Sequence, residues 1–265
     1  MEIFNAIILG LIQGLTEFLP ISSSGHLIIF RDFLGLSSQN SLAYDAILQL
    51  ATTLAIIVYF RKDLFIFFTR IKNKQIIEQD KNKIIFIIIA TIPAVILGLL
   101  LENYMETIFR NSLLVALTAV LGAIVMYFAD KFNQKNISKN NLNKKKSFAI
   151  GLFQALALIP GMSRSGMTIS GGLFMNLKRE TAVRFSFLMA IPILLGSGAK
   201  KFLDLYQTNT LNDISLPLFI GVITAFVSGL WAINFLIKYL KTNSFKNFII
   251  YRIVLAVVII VVYFI

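Results

Sequence analysis

Residues 13–26 read Gln13-Gly14-Leu15-Thr16-Glu17-Phe18-Leu19-Pro20-Ile21-Ser22-Ser23-Ser24-Gly25-His26, and they interrupt an apolar stretch that covers residues 3–34. Proline removes a backbone donor and glycine frees the backbone, so a helix is expected to stop inside this stretch. Irregular backbone at membrane depth survives only where it is buried in protein or lines a wet cavity. The stretch therefore predicts a re-entrant helix–loop–helix hairpin rather than a spanning helix.

A second apolar stretch, residues 147–175, is interrupted in a similar way at Pro160-Gly161-Met162-Ser163-Arg164-Ser165-Gly166. Shifting residues 10–28 by 141 positions aligns them without gaps on residues 151–169, with identities that include both glutamines and the Ser-x-Ser-Gly core. Shared apolar composition does not explain those polar matches, so the pattern indicates an internal duplication. We predict one membrane domain, 1–265, with repeat one at about 1–130, a basic cytoplasmic linker at 131–146 and repeat two at 147–265.

The composition is that of a membrane protein. Of 265 residues, 57% are hydrophobic and 14% charged, and the mean hydropathy is +0.79; soluble proteins carry roughly 25% charged residues. Six further apolar stretches predict spanning helices, although the first is short for a span. They cover residues 46–60, 84–101, 112–130, 182–198, 215–237 and 247–265. Met1-Glu2 leads directly into an apolar run without a basic segment, so we expect no removable signal peptide.

The residue inventory excludes several kinds of site. The chain has no cysteine, which excludes disulfides and thiolate chemistry, and its one histidine, His26, excludes a multi-histidine metal centre. The net charge of +12 is concentrated in short segments between apolar runs. Basic residues in that arrangement indicate membrane topology, and we expect no nucleic-acid partner.

The charge distribution also predicts the orientation of the chain. Loops 61–83 and 131–146 are rich in Lys and Arg, whereas loops 35–45 and 102–111 are poor in them, which makes the first pair cytoplasmic. Each half is one hairpin plus three spans, and three is odd, so the second half is inverted relative to the first. We predict an all-α polytopic membrane protein of two inverted-topology repeats, with both termini extracytoplasmic and the hairpin tips meeting near mid-membrane.

Unusual polar residues lie at the two predicted tips. Glu17, His26 and Arg164 are ionisable groups in apolar segments, where each costs about 2.5–3.5 kcal/mol on insertion scales. Gln13 lies one helical turn before Glu17, on the same helix face. A Glu–Arg pair by itself serves packing, but here it comes with a set of hydroxyls that favours a functional site. These are Ser22, Ser23, Ser24, Ser163, Ser165 and Thr168.

Arginine offers a fork of donors for phosphate oxygens, and hydroxyls with free amides at a helix start bind anions. Glu17 and His26 are then the groups that move protons. The residues alone therefore indicate either phosphoryl transfer or anion transport.

At these motifs the sequence resembles the undecaprenyl-diphosphate phosphatase family, the bacitracin-resistance phosphatases. The likeness runs the length of the chain and includes residues 13–26, 160–168, 169–172 and 184–192. It implies hydrolysis of undecaprenyl diphosphate to undecaprenyl phosphate and inorganic phosphate in the bacterial inner (plasma) membrane. It also implies recycling of the lipid carrier for peptidoglycan synthesis, bacitracin resistance, a site open to the extracytoplasmic side, and a divalent cation, Mg²⁺ or Ca²⁺.

The resemblance carries over residue by residue. It makes Glu17, Ser23, His26 and Arg164 the catalytic residues and Glu17 a candidate metal ligand. The predicted substrate-binding residues are Gln13, Ser22, Ser24, Ser163, Ser165 and Thr168. Many family members have Glu at the position of Gln13, which leaves Glu17 as the lone carboxylate of the site in this chain.

The mechanistic hypothesis is that Arg164 holds the diphosphate while Ser23 or a water attacks the terminal phosphorus, Ser23 being favoured. How Glu17 and His26 divide activation and protonation stays open. The predicted partners are the lipid substrate and membrane lipids, with a homodimer allowed for. The alternative function is a polyprenyl-phosphate or anion transporter or flippase, because inverted repeats with broken helices are also typical of transporters.

Overall fold

The structure, a computed structural model, describes residues 2–33, 41–101, 111–135, 141–207 and 216–264. Its described part is all helical. Most of loop 35–45, nearly all of loop 102–111, residues 136–140 of the linker and both terminal residues lie outside the described residues. The helices are α1 (Ile3–Phe18), α2 (Ser23–Phe33), α3 (Ser41–Tyr59), α4 (Arg61–Lys72), α5 (Glu78–Leu100), α6 (Ser112–Lys135), α7 (Lys144–Leu156), α8 (Arg164–Phe174), α9 (Arg179–Gln207), α10 (Leu216–Thr242) and α11 (Lys246–Phe264).

Within the described residues, five helices are long and apolar enough to cross a membrane. They are α5, α6, α9, α10 and α11, and they match five of the six predicted spans. The sixth, α3, has a shorter apolar part, Tyr44–Tyr59, in agreement with its short apolar run in the sequence. The chain is therefore a multi-pass membrane protein.

Both predicted helix interruptions are present. The helix stops after Phe18 and starts again at Ser23, and it stops after Leu156 and starts again at Arg164. We call residues 19–22 the first break and residues 157–163 the second break. Pro93 and Pro192, by contrast, lie inside continuous helices. Neighbouring groups in a bundle re-satisfy the backbone that a membrane proline frees.

The two breaks end in the same local conformation. Ser22 has φ of 73° and Ser163 has φ of 68°, in the left-handed region that non-glycine residues rarely adopt. Each of these serines caps the helix that follows, because the Ser22 hydroxyl accepts from the Gly25 amide at 3.4 Å and the Ser163 hydroxyl accepts from the Gly166 amide at 3.3 Å. The two helices, α2 and α8, are both 11 residues long.

The hairpins pack on helices of the other half of the chain. Helix α1 lies against α10, and α7 lies against α5. Small residues make both approaches close: a Cβ at Gly14 would come within 2.8 Å of the Gly229 amide nitrogen, and one at Gly151 within 3.0 Å of the Ala90 Cα. Close backbone contact of this kind is the usual way that helices associate within membranes.

The basic helix ends lie on one face of the protein. Asp130, near the end of α6, pairs with Arg179 at the start of α9 and accepts a hydrogen bond from the Phe245 amide before α11. Arg184 of α9 pairs with Asp63 at the start of α4 at 2.7 Å. The ends that the sequence assigns to the cytoplasm therefore come together.

Helix α4 corrects the prediction of a loop over residues 61–83. Inside this basic segment, apolar residues recur at helical spacing, at Leu64, Phe65, Phe68 and Ile71. The prediction of a loop used only the charge of the segment. Phe65 and Phe68 are 71% and 62% exposed. A short helix with an exposed aromatic face between membrane spans is typical of the lipid interface.

Candidate active site

Glu17 joins three helices. Its Oε1 accepts from Arg164 Nη2 at 3.1 Å, and its Oε2 accepts from Ser23 Oγ at 3.0 Å and from Gln13 Nε2 at 3.2 Å. Gln13 and Glu17 share one face of α1, whereas Ser23 starts α2 and Arg164 starts α8. The breaks make this possible, because the helix after each break begins at a residue that bonds to Glu17. Four of the predicted site residues therefore form one cluster, with Gln13 and Glu17 buried and Ser23 and Arg164 partly buried.

Arg164 has hydrogen-bond donors that are not bonded to the protein. Its side chain is 12% exposed, and Nη2 is bonded to Glu17. Its Nε and Nη1 atoms are buried and have no hydrogen-bond partner in the described part of the chain. Leaving a buried donor unbonded costs about 1–3 kcal/mol. These donors suit an anion with several oxygens, such as a phosphate.

Each break contacts the start of the helix that follows the other break. Ser165 Oγ donates to the Leu19 carbonyl at 3.0 Å, and Ser24 Oγ accepts from the Gly161 amide at 3.4 Å. The first amides of α2 and α8 have no helical partner, as at any helix start. Amides at helix starts favour negative charge, so both helices present an anion-binding end next to Arg164 and Ser23.

His26 is held apart from the Glu17 cluster. Its Nδ1 lies 2.7 Å from the Ser22 carbonyl oxygen, and its Nε2 lies 2.7 Å from the Tyr251 hydroxyl. A carbonyl only accepts, so Nδ1 carries the proton; the neutral ring then accepts at Nε2 from the Tyr251 hydroxyl. Among the described contacts, His26 has no hydrogen bond to Glu17 or Ser23. The imidazole is therefore linked to α11.

The other predicted hydroxyls are bonded within the protein. Ser22 bonds to Ser24 at 3.2 Å, and Ser163 bonds to Ser165 at 3.3 Å. Thr168 is not brought to the cluster, because its hydroxyl lies 2.5 Å from that of Ser186 and donates to backbone carbonyls of its own helix. The direct interactions of the predicted site are thus those of Gln13, Glu17, Ser23 and Arg164, and the remaining hydroxyls shape the two breaks.

Sequence reasoning missed Tyr251 and Arg252. Tyr251 is the partner of His26, and Arg252 is completely buried between the two breaks. The available signal was a lone arginine in the apolar run 247–265, since an ionisable residue within a span is functional by default.

The oxygen donors of the cluster fit a hard divalent cation only in part. No group of three His, Asp or Glu residues comes together among the described residues. Glu17, the Gln13 amide oxygen and the Ser23 hydroxyl are the hard donors that Mg²⁺ or Ca²⁺ prefers, and Mg²⁺ often completes its shell with substrate phosphates. These residues would therefore hold a cation only together with a diphosphate.

Comparison with known proteins gives full-length matches. A family model described as bacitracin resistance protein BacA matches residues 6–258. The chain is 41% identical over 264 residues to the undecaprenyl-diphosphatase of Moorella thermoacetica, which covers 99% of this chain and 98% of that protein. It is 42% identical to the proteins of the same name from Prochlorococcus marinus (strain MIT 9215) and Caldicellulosiruptor bescii, with 98% of each relative covered.

Proposed function

The chain belongs to the bacitracin resistance protein BacA family, and on that premise we propose that it hydrolyses undecaprenyl diphosphate to undecaprenyl phosphate and inorganic phosphate. It is a phosphatase, in keeping with the name of relatives that align with it over nearly their whole length. The substrate assignment depends on one observation. Arg164 has two unpaired donors, and it donates to the same carboxylate, that of Glu17, as the Ser23 hydroxyl does. An anion cradle beside an activated hydroxyl suits a phosphoryl group.

In the proposed binding step, the oxygens of the terminal phosphate accept hydrogen bonds from Arg164 Nε and Nη1 and from amides at the starts of α2 and α8. These donors are fixed before the substrate arrives, so they stabilise the charge that develops on the phosphoryl oxygens without reorganising. The polyprenyl tail lies between helices, in contact with lipid.

In the proposed transfer step, Ser23 Oγ attacks the terminal phosphorus and gives its proton to Glu17. The bond from oxygen to phosphorus forms at Ser23, the bond from phosphorus to the bridging oxygen breaks, and undecaprenyl phosphate leaves with that oxygen. Glu17 is assigned as the base because Ser23 already donates to it at 3.0 Å.

In the proposed hydrolysis step, a water attacks the phosphoserine, inorganic phosphate leaves, and Ser23 Oγ takes back a proton from Glu17. The proton of the attacking water goes to the Tyr251 oxygen as the Tyr251 hydroxyl passes its own proton to His26 Nε2. The support is the 2.7 Å contact of these two groups.

A divalent cation, Mg²⁺ or Ca²⁺, is part of the proposal. Glu17 and Gln13 would hold it together with the diphosphate, and it would supply positive charge that neutralises the phosphate oxygens.

We also propose the inverted-repeat arrangement, with the repeat bounds given above. Three features support it. Ser22 and Ser163 have matching φ values, and α2 and α8 have equal lengths. In addition, α1 packs on a helix of the second half and α7 packs on a helix of the first.

The finer parts of the function follow from this arrangement. We propose that the site opens to the extracytoplasmic side of the bacterial plasma membrane, with both termini on that side, since the basic helix ends share the opposite face. The reaction yields the monophosphate carrier needed for peptidoglycan synthesis, and removing its diphosphate form provides resistance to bacitracin.

The test of the function is phosphate release by the purified, detergent-solubilised protein from undecaprenyl diphosphate. We expect turnover that falls on addition of EDTA and returns with Mg²⁺ or Ca²⁺. Folded protein that releases no phosphate yet moves the lipid across vesicle membranes would contradict the proposal and favour the transporter alternative.

Tyr251→Phe tests the proton relay. We expect phosphate release to fall about 10-fold, less than the 10²–10⁴-fold range of general acid–base groups, because Ser23 and Glu17 still carry out the transfer step. Tyr263→Phe, at an exposed position of the same helix, is the matched control. Equal turnover of Tyr251→Phe and wild-type protein would remove Tyr251 from the mechanism.

A further inference from the structure

Arg252 lies between the two breaks, and its side chain is completely buried. Its guanidinium donates to four carbonyl oxygens, on three separate segments of the chain. Nη2 donates to Gly161 at 2.8 Å and to Thr118 at 3.5 Å, Nε to Ala119 at 3.1 Å, and Nη1 to Pro20 at 3.4 Å. One side chain thus binds the first break, the second break and α6 at once.

The positions of these carbonyls connect Arg252 to the reaction. Pro20 lies three residues after Glu17 and three before Ser23, and Gly161 lies three residues before Arg164. A shift of either break would therefore move one member of the Glu17–Arg164 pair relative to the other. Arg252 touches none of these side chains, so any effect on them passes through the backbone.

The surroundings of Arg252 are built to accept a guanidinium. Gly122 of α6 faces it, and a Cβ at that position would lie 3.0 Å from the Arg252 Cζ and closer still to Nη2. Two of the four accepting carbonyls, those of Pro20 and Gly161, lie in the breaks, where a buried carbonyl needs a donor from outside its own helix. A planar fork with several donors reaches them together, which the single ammonium of a lysine does not.

We propose that Arg252 is a positioning residue, which ties the two breaks in the register that brings Arg164 and Ser23 onto Glu17. The inference rests on the proposed phosphatase reaction for its kinetic part only. Its structural part is the distance between the breaks, which is measured without turnover.

The kinetic test compares Arg252→Met with Arg252→Lys. Methionine keeps an unbranched apolar stem and removes every donor, so we expect kcat to fall about 100-fold, the usual consequence of misplacing reacting groups by about 1 Å. KM should change far less, because Arg164 and its free donors remain. Lysine keeps the charge and one carbonyl contact, so it should recover part of the loss. Arg61→Met, at an exposed arginine, should behave like wild-type protein.

The structural test uses the double variant Leu19→Cys, Ser165→Cys. Leu19 belongs to the first break, Ser165 lies at the start of the helix that follows the second break, and the Ser165 hydroxyl contacts the Leu19 carbonyl. The natural chain has no cysteine to interfere. Molecular iodine, a small apolar oxidant, should close the disulfide about 10-fold more slowly when Arg252→Met is added, because loosening a contact lowers the effective concentration of its two groups.

The outcomes separate the inference from the proposed function. A kcat for Arg252→Met close to that of wild-type protein, or a reduced kcat with an unchanged rate of disulfide closure, would overturn the positioning role. A wild-type protein without turnover would contradict the phosphatase proposal alone, and the closure rates would still decide the role of Arg252.

If Arg252→Met and Arg252→Lys do not fold, Gly122→Ala decides. Its methyl group would press on the Arg252 guanidinium and lie 3.0 Å from the Met162 carbonyl of the second break, so it disturbs this junction without removing a donor. Slower closure and a lower kcat are therefore expected. Wild-type values for both would contradict the inference.

Discussion

Replacing Arg164 with alanine should reduce phosphate release about 10³-fold or more. Arg164 supplies two free donors to the phosphate, and losing even one preorganised donor typically costs 10²–10³ in kcat. Arg164→Lys keeps the charge but not the fork, so we expect an intermediate loss. The measurement is the steady-state rate of phosphate release with saturating undecaprenyl diphosphate, and Arg61→Ala is the control at an exposed arginine.

A second variant separates binding from folding. Without Arg164 the buried Glu17 loses its cation, and an unpaired buried charge typically costs about 3–5 kcal/mol of stability. Adding Glu17→Gln to Arg164→Ala removes that charge, so the double variant should regain thermal stability while remaining inactive. Near wild-type release by the folded Arg164→Ala protein would contradict the anchoring role.

Ser23→Ala should have an effect of the same size. A serine nucleophile cannot be replaced by its neighbours, and removal of such a group typically lowers kcat by about 10³-fold or more. Ser197→Ala, at an exposed serine of α9, is the matched control. Substrate labelled in its terminal phosphate should also leave label on wild-type protein after rapid acid quenching, and none on Ser23→Ala. Substantial turnover by Ser23→Ala would instead identify water as the attacking group.

The helix breaks and the core of the site were predictable because their signals are local. Proline, glycine and serine within an apolar run stop a helix whatever surrounds it, and the periodicity of α1 places Gln13 and Glu17 on one face. The predicted inversion of the second repeat further indicated that the two breaks, and with them Glu17 and Arg164, meet near mid-membrane. The structure pairs them at 3.1 Å.

The contacts of α11 were not predictable in the same way. His26 and Tyr251 are 225 positions apart in the chain, and Arg252 and Pro20 are 232 apart. No spacing rule connects residues so distant, and their pairing depends on how α11 packs against α6. For the same reason, the sequence assigns proton transfer to Glu17 and His26 but does not indicate that the imidazole is directed toward α11.

Helix α4 was missed for a different reason. The segment contains basic residues, which indicate topology, and aromatic residues at helical spacing, and the prediction of a loop used only the first of these signals. Charge and amphipathicity are independent features of a segment, and an interfacial helix carries both.

The account depends on contact between two broken helices from opposite halves of the chain. Disulfide closure in Leu19→Cys, Ser165→Cys, with Arg252 in place, measures that contact directly. We predict rapid and nearly complete closure with iodine, whereas Leu19→Cys paired with Ser197→Cys, on an exposed part of α9, should stay reduced. A yield for the first pair no higher than that of the second would mean that the breaks do not meet, and the site described above would not exist.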